Sequence, residues 1–118
     1  MSDSYNKALQ DVDLRMSVTH DLKVDPYYFG LVATKKKPFE VRNNDRNFKV
    51  GDYILLREFD RSTKKYTGQQ LAKIRITYVL EDYPALVEGY VVLGLDLSGM
   101  AYSREPDRSD LPVRVDPV

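Results

Sequence analysis

Cysteine is absent from the 118 residues, which removes disulfides, thiolate zinc sites and cysteine nucleophiles together. Histidine occurs once, at position 20, so metal binding would fall to carboxylates and one imidazole, and no metal or cofactor is expected. No apolar run approaches the length that spans a bilayer, and the start, Met1-Ser2-Asp3-Ser4-Tyr5, has no apolar signal core. The chain is therefore read as soluble and cytoplasmic, with no membrane partner. Neither charge is in excess: eighteen Lys and Arg meet eighteen Asp and Glu, so no global field draws the protein to nucleic acid, and any such binding must come from local clustering. A phosphate-cradling glycine loop, a Gly-x-Ser-x-Gly elbow, a His-Glu-x-x-His pair and a calcium loop are all missing. Nucleophilic catalysis would have to use a Ser or Thr activated by lysine, or acid–base chemistry by Glu40 beside Lys37.

What is present suits one domain. A hydrophobic content of 42% with 11% aromatics fills one modest core. Charge is unevenly spread: from Thr34 to Lys49 six cations face two anions, Glu40 and Asp45. There Lys35, Lys36 and Lys37 feed a short strand in which Phe39 and Val41 alternate with Glu40 and Arg42, followed by a polar turn and Val50-Gly51-Asp52. One reading is a solvated edge strand whose charges discourage edge-to-edge pairing. The other is a cleft in which Lys37, Glu40 and Arg42 converge on a polar ligand.

In chain order, residues 1–17 mix acids, amides and isolated apolar side chains and are expected to be a flexible extension. From Val18 to Val24 the pattern alternates, placing Val18, His20, Leu22 and Val24 on one side of a first strand, with His20 as a core histidine bonded to backbone. Asp25-Pro26 resembles a helix start, with Asp25 as N-cap. A helix to about Lys35 follows, with Gly30 marking close packing and the lysine run complementing its C-terminal dipole. Asp52 to Phe59 reads as a central strand buried on both faces, and Asp60 to Gln69 as a polar loop carrying Arg61, Lys64 and Lys65, with Gly68 at a turn or bulge. From Gln70 to Leu80 the alternation sets Ala72, Ile74, Ile76, Tyr78 and Leu80 against Lys73, Arg75, Thr77 and Val79. After a loop at Glu81 to Glu88, Val91, Leu93, Leu95 and Leu97 share the inward face of another strand, and residues 98–118 read as a tail. Five or six strands with one helix after the first predict an α+β, mainly β fold, a partly closed barrel spanning residues 18–97.

Several of these residues resemble the ASCH (activating signal cointegrator homology) superfamily, whose PUA-like β-barrel carries a Gly-x-Lys-x-x-Glu-x-Arg motif between its first helix and second strand. Here Lys37, Glu40 and Arg42 keep the Lys, Glu and Arg, while Lys35 replaces the leading Gly. His20-Asp21-Leu22-Lys23, the run from Phe39 to Arg46, Val50-Gly51-Asp52, Tyr66-Thr67-Gly68 and Gly89 to Leu93 extend the likeness to a branch common in bacteriophages and prophages.

The resemblance implies a polar cleft beside the helix that binds RNA or a nucleotide-like ligand, lined by Lys37, Glu40 and Arg42. Asn44, Arg46, Tyr66, Thr67, Lys73, Arg75 and the loop from Arg61 to Lys65 complete the candidate ligand-binding set, with arginines suited to forked phosphate contacts. Some small members hydrolyse acetylated cytidine with a lysine, a threonine and a later glutamate. Lys37 matches the lysine, Glu40 stands in the threonine's place and Arg75 falls near the glutamate's, so the nucleophile is missing and catalysis is not expected. A hydrolase using Lys37 and Glu40 remains the alternative, a phage protein-interaction module the second, and a monomer is expected.

Overall fold

A computed structural model describes residues 16–105; residues 1–15, most of the expected N-terminal extension, and residues 106–118 lie outside the described residues. The elements run β1 (Thr19–Val24), α1 (Pro26–Ala33), β2 (Phe39–Asn43), β3 (Tyr53–Asp60), β4 (Lys65–Leu80), β5 (Tyr90–Asp96) and β6 (Ala101–Arg104). They make one curled sheet in the order β1-β3-β4-β5-β2, a partly closed, mainly β barrel with, among the described residues, a single helix that follows the first strand, as the sequence pattern predicts. β1 and β3 are parallel, with His20 opposite Ile54 and Leu22 opposite Leu56. Parallel neighbours need a long crossover, and the segment carrying α1 and β2 supplies it. Every other pairing is antiparallel.

The core follows the period-2 patterns. Leu22 and Val24, Ile54 and Leu56, and Val91, Leu93, Leu95 and Leu97 are buried, with Phe29 and Val32 of α1 packed onto them. Each such side chain contributes roughly 1.5–3 kcal/mol of transfer free energy. β3 is an internal strand, but β4 is the middle one, and only one face of β3 is fully buried because Tyr53 is exposed and Leu55 half-buried.

β4 departs most from its expected faces. Ile74 and Ile76 do point inward, yet Leu71 is buried where Ala72 was expected, and Tyr78 is exposed. Between Ile54↔Ile74 and Leu56↔Leu71, β4 uses three residue steps against two on β3, and Lys73 absorbs the extra residue at φ 60°. A second irregularity lies between Ile76↔Leu95 and Tyr78↔Gly94. One inserted residue exchanges the faces of everything beyond it. The expected polar loop from Asp60 to Gln69 shrinks to a turn at residues 61–64, because β4 already begins at Lys65 and Gly68, at φ 95°, takes up a further bulge.

The segment expected as a tail after Leu97 contains β6, which pairs Gln69↔Arg104 through Ala72↔Ala101 along the same edge of β4 that β5 occupies lower down. Four residues were too short for periodicity to reveal. The helix ends at Ala33, two residues before the expected limit. Asp25 starts it through its carbonyl, which accepts from Phe29 N at 2.8 Å, and makes no side-chain cap; its carboxylate instead meets Arg61 Nε at 2.7 Å. Gly30 does not mark close packing, since nothing lies within 4 Å of where its Cβ would stand.

Candidate functional site

The end of α1 sets the site. Thr34 Oγ1 donates to Gly30 O at 2.8 Å, Lys35 turns into the left-handed region at φ 62°, and the N–H groups of Lys36 and Lys37 both reach Leu31 O. This terminates the helix, and Pro38 O then accepts from Leu95 N, which launches β2 along β5. β2 alternates as the sequence predicts, and its charged face is the one that turns inward. Phe39 and Val41 are exposed, whereas Glu40, paired with Leu93, is only 4% exposed.

A buried carboxylate costs several kcal/mol unless it is paired. Lys37 Nζ lies 3.3 Å from Glu40 Oε1 and Arg42 Nε 3.4 Å from Oε2, while the two cationic side chains remain 15% and 24% exposed. Lys37 Nζ also donates to Phe39 O at 3.0 Å and sits over the rings of Tyr28 and Phe39. Arg42 uses Nη2 to reach Lys23 O at 2.7 Å. The triad borders an open cleft of about 390 Å³ whose other walls include Lys23, Asp25, Tyr28 and Arg61. The structure thus brings together Lys37, Glu40, Arg42 and Arg61 of the predicted residues. It adds Lys23 and Asp25, which the strand and helix-cap patterns accounted for without reference to a ligand, and Tyr28 of α1, which no sequence pattern singled out.

The other predicted residues are placed elsewhere. Arg46 Nη1 donates to Asp21 O at 2.6 Å, so Arg42 and Arg46 together bridge from the β2 segment to the outer edge of β1 and close the barrel's seam with side chains. Asn44 Oδ1 accepts from Phe48 N at 3.0 Å and holds the turn after β2. Thr67 Oγ1 accepts from Gln69 N at 3.2 Å within the Gly68 bulge. Tyr66 packs edge-on against Phe59 and beneath the Arg57 guanidinium, 4.0 Å from its ring centre. Lys73 and Arg75 line a separate hollow of about 670 Å³ on the outer sheet face, with Tyr53, Leu55 and Asp96.

Residues 19–95 match the family model described as a domain of unknown function, DUF3850. The chain belongs to the DUF3850 family. It is similar to an uncharacterized 12.9 kDa protein in the GpA 3′ region of Escherichia phage P2, with 37% identity over 78 residues, 66% of this chain and 68% of that protein. The matched span runs from the first residue of β1 into β5, so every wall of the cleft lies inside the DUF3850 domain, while β6 lies beyond it.

Three further polar side chains, His20, Asp52 and Glu58, are buried in this DUF3850 domain, and they hold strands together. His20 Nε2 lies 2.8 Å from Asp52 Oδ2, and Asp52 also accepts from Val18 N and Lys49 N. The core histidine expected from the sequence is present, with a carboxylate partner where backbone was expected. Glu58 Oε1 accepts from Gln69 Nε2, whose Oε1 accepts from Tyr102 OH, which ties β3, β4 and β6. At the surface, hydrogen bonds from the Ser62 hydroxyl and N–H hold the Asp60 carboxyl below its ordinary range, and Ser98 does the same for Asp96 with help from Arg75. Among the described residues no group of three or more His, Asp and Glu is placed to hold a metal, and no helix is long and apolar enough to cross a membrane.

Proposed function

We propose that this DUF3850 protein is an ASCH/PUA-like module that binds RNA or a nucleotide in the cleft of Lys37, Glu40 and Arg42, acting as a monomer in the cytoplasm of a phage-bearing host. The observation that carries the reading is the buried carboxylate of Glu40, held between two cations in the wall of an open cleft. An ionised carboxylate has about four acceptor positions, and Lys37 and Arg42 each engage one of its oxygens. The remaining positions suit the N–H groups of a base edge. Lys23 and Arg61 on the rim suit phosphate, and Tyr28, about half exposed, offers a ring on which a base can stack.

The test is an amide NMR titration of isotope-labelled protein with short single-stranded RNA, a mononucleotide and acetylated cytidine at two salt concentrations. Shifts centred on Lys37 to Arg42 that weaken with salt are expected, and Lys37→Ala should lower affinity at least tenfold with the spectrum otherwise folded. Product signals from acetylated cytidine would replace this reading with the hydrolase one. Unmoved cleft amides with every ligand would remove it.

A further inference from the structure

We infer that the cleft is half of a two-nucleotide trough: an unpaired nucleic-acid strand places one base against Glu40 and the next over Phe59, with its linking phosphate on Lys23 and Arg61. This rests on the nucleotide-binding reading above. A second hollow of about 440 Å³ lies beside the cleft, bounded by Phe59 and Lys64 at its far end. The two share Lys23, Val24, Asp25 and Arg61 among their lining residues, so they adjoin at the end of β1.

Each end of the trough repeats the same chemistry, one aromatic ring with one cation. At the near end Lys37 Nζ stands over the Tyr28 ring; at the far end Lys23 Nζ stands 4.6 Å from the centre of the Phe59 ring. Phe59 is fixed by its edge-on contact with Tyr66, which Arg57 covers in turn. A strand carries a base and a phosphate per step, and proteins that hold single strands pair aromatic rings for the bases with cations for the backbone. Lys23 and Arg61 are the cations common to both hollows, where the phosphate joining two nucleotides would lie. Arg61 spends Nε on Asp25 and retains its other N–H donors. A phosphate at Lys23 draws that ammonium off Phe59 and bares the ring for the second base.

The burial of Glu40 selects against a duplex. With 4% of its surface exposed, the carboxylate is reached only by a base edge inserted into the cleft, and in a duplex that edge is already paired. Extruding a paired base costs a few kcal/mol, which an unpaired strand does not incur.

The full chain is titrated with the four ribonucleoside monophosphates, the degenerate ribodinucleotides and a fully paired RNA hairpin, again followed by amide shifts. Dinucleotides are expected to bind at least tenfold more tightly than monophosphates and to be alone in moving the amides of Phe59 to Lys64, with the hairpin weaker than the dinucleotides. Lys23→Gln should bring dinucleotide affinity down to near the monophosphate value. Lys64→Asn should lower it while keeping the left-handed turn conformation at φ 57°, which asparagine tolerates, and a retained amide spectrum certifies either fold. Dinucleotides no tighter than monophosphates, silent amides at Phe59 to Lys64, equal binding of the hairpin, or an unaffected Lys23→Gln variant would each overturn the two-nucleotide trough while leaving the Glu40 cleft standing. Silence at Lys37 to Arg42 with every probe would remove both.

Discussion

Glu40 is a charge that folding has taken out of water, and the two cations beside it determine what its loss does. Glu40→Gln keeps the side chain's shape and half its acceptor capacity but leaves Lys37 and Arg42 uncompensated. Solvent reaches both cations, so the destabilisation should be about 1–2 kcal/mol, below that of breaking a fully buried pair, as read from urea unfolding. In ligand binding the same change should flatten discrimination between bases while phosphate affinity holds or rises. Asp60 provides a residue whose pH behaviour has a definite sign. Its pKa is lowered from 3.8, chiefly by the Ser62 hydroxyl, whose Oγ donates to Oδ1 at 2.6 Å. A carboxyl that binds its proton less readily when folded stabilises the fold above its unfolded pKa, and that stabilisation fades as pH falls through the lowered native value. Ser62→Ala should therefore raise the Asp60 pKa toward 3.8 in a carboxyl-carbon NMR titration. The stability gap between wild type and variant should be widest at neutral pH and close in acid.

The two glycines of contrasting surroundings test how each element is held. Gly30 lies inside α1 with open space at its Cβ, so Gly30→Ala should stabilise the protein by about 1 kcal/mol through helix propensity. Gly68 has φ 95° and would place a Cβ 2.8 Å from Glu105 O, the residue whose N–H binds Gly68 O at 2.7 Å. Gly68→Ala should cost about 1–3 kcal/mol and loosen β6, visible as lower midpoints in thermal melting and faster amide exchange at residues 101–104. These elements also show where sequence pattern reaches and where it stops. Alternation identified β1 and β5 because their hydrophobic period is unbroken, and a continuous apolar run identified β3 but suggested a second buried face that Tyr53 and Leu55 do not supply. Alternation misplaced the faces of β4 because the bulges at Lys73 and beyond Ile76 insert residues that composition does not mark. It did not reveal β6, whose Ala101 to Arg104 run is only half-buried at one position. For the site, the shared face of Glu40 and Arg42 on a short strand was legible, since side chains two apart point the same way, while Lys37 reaches Glu40 from the turn before the strand. That Arg42 and Arg46 also bridge the barrel seam to backbone carbonyls of β1 was not legible, because such a contact carries no local signature.

Across the whole molecule the formal charge is zero, so any response to salt must come from how charges are arranged. Screening confines each exposed charge to about 8–10 Å at ordinary ionic strength. Within that reach the trough concentrates Lys23, Lys37, Arg42, Arg61 and Lys64 against Asp25 and Glu40. The outer hollow with Lys73 and Arg75 belongs to the opposite end of β3, where Arg75 pairs with Tyr53 and Phe59 is six residues away, about 20 Å along the strand. A longer strand held by the linking phosphate and one or two flanking ones should lose affinity with salt at a log–log slope of about −1.4 to −2.1, since each phosphate contact on a single strand contributes about −0.7. Lys23→Gln should make that slope shallower by about 0.7, the share of one contact. Arg75→Gln should leave it unchanged, because that charge lies about two screening lengths from Phe59 along β3. Lys73→Gln should change it far less than Lys23→Gln, because Lys73, opposite the bulge between Ile54 and Leu56, lies more than one screening length away. A slope that responds to Lys73 or Arg75 and ignores Lys23 would move the binding surface to the other end of β3, where Tyr53 and the hollow beside it would be the next residues to test.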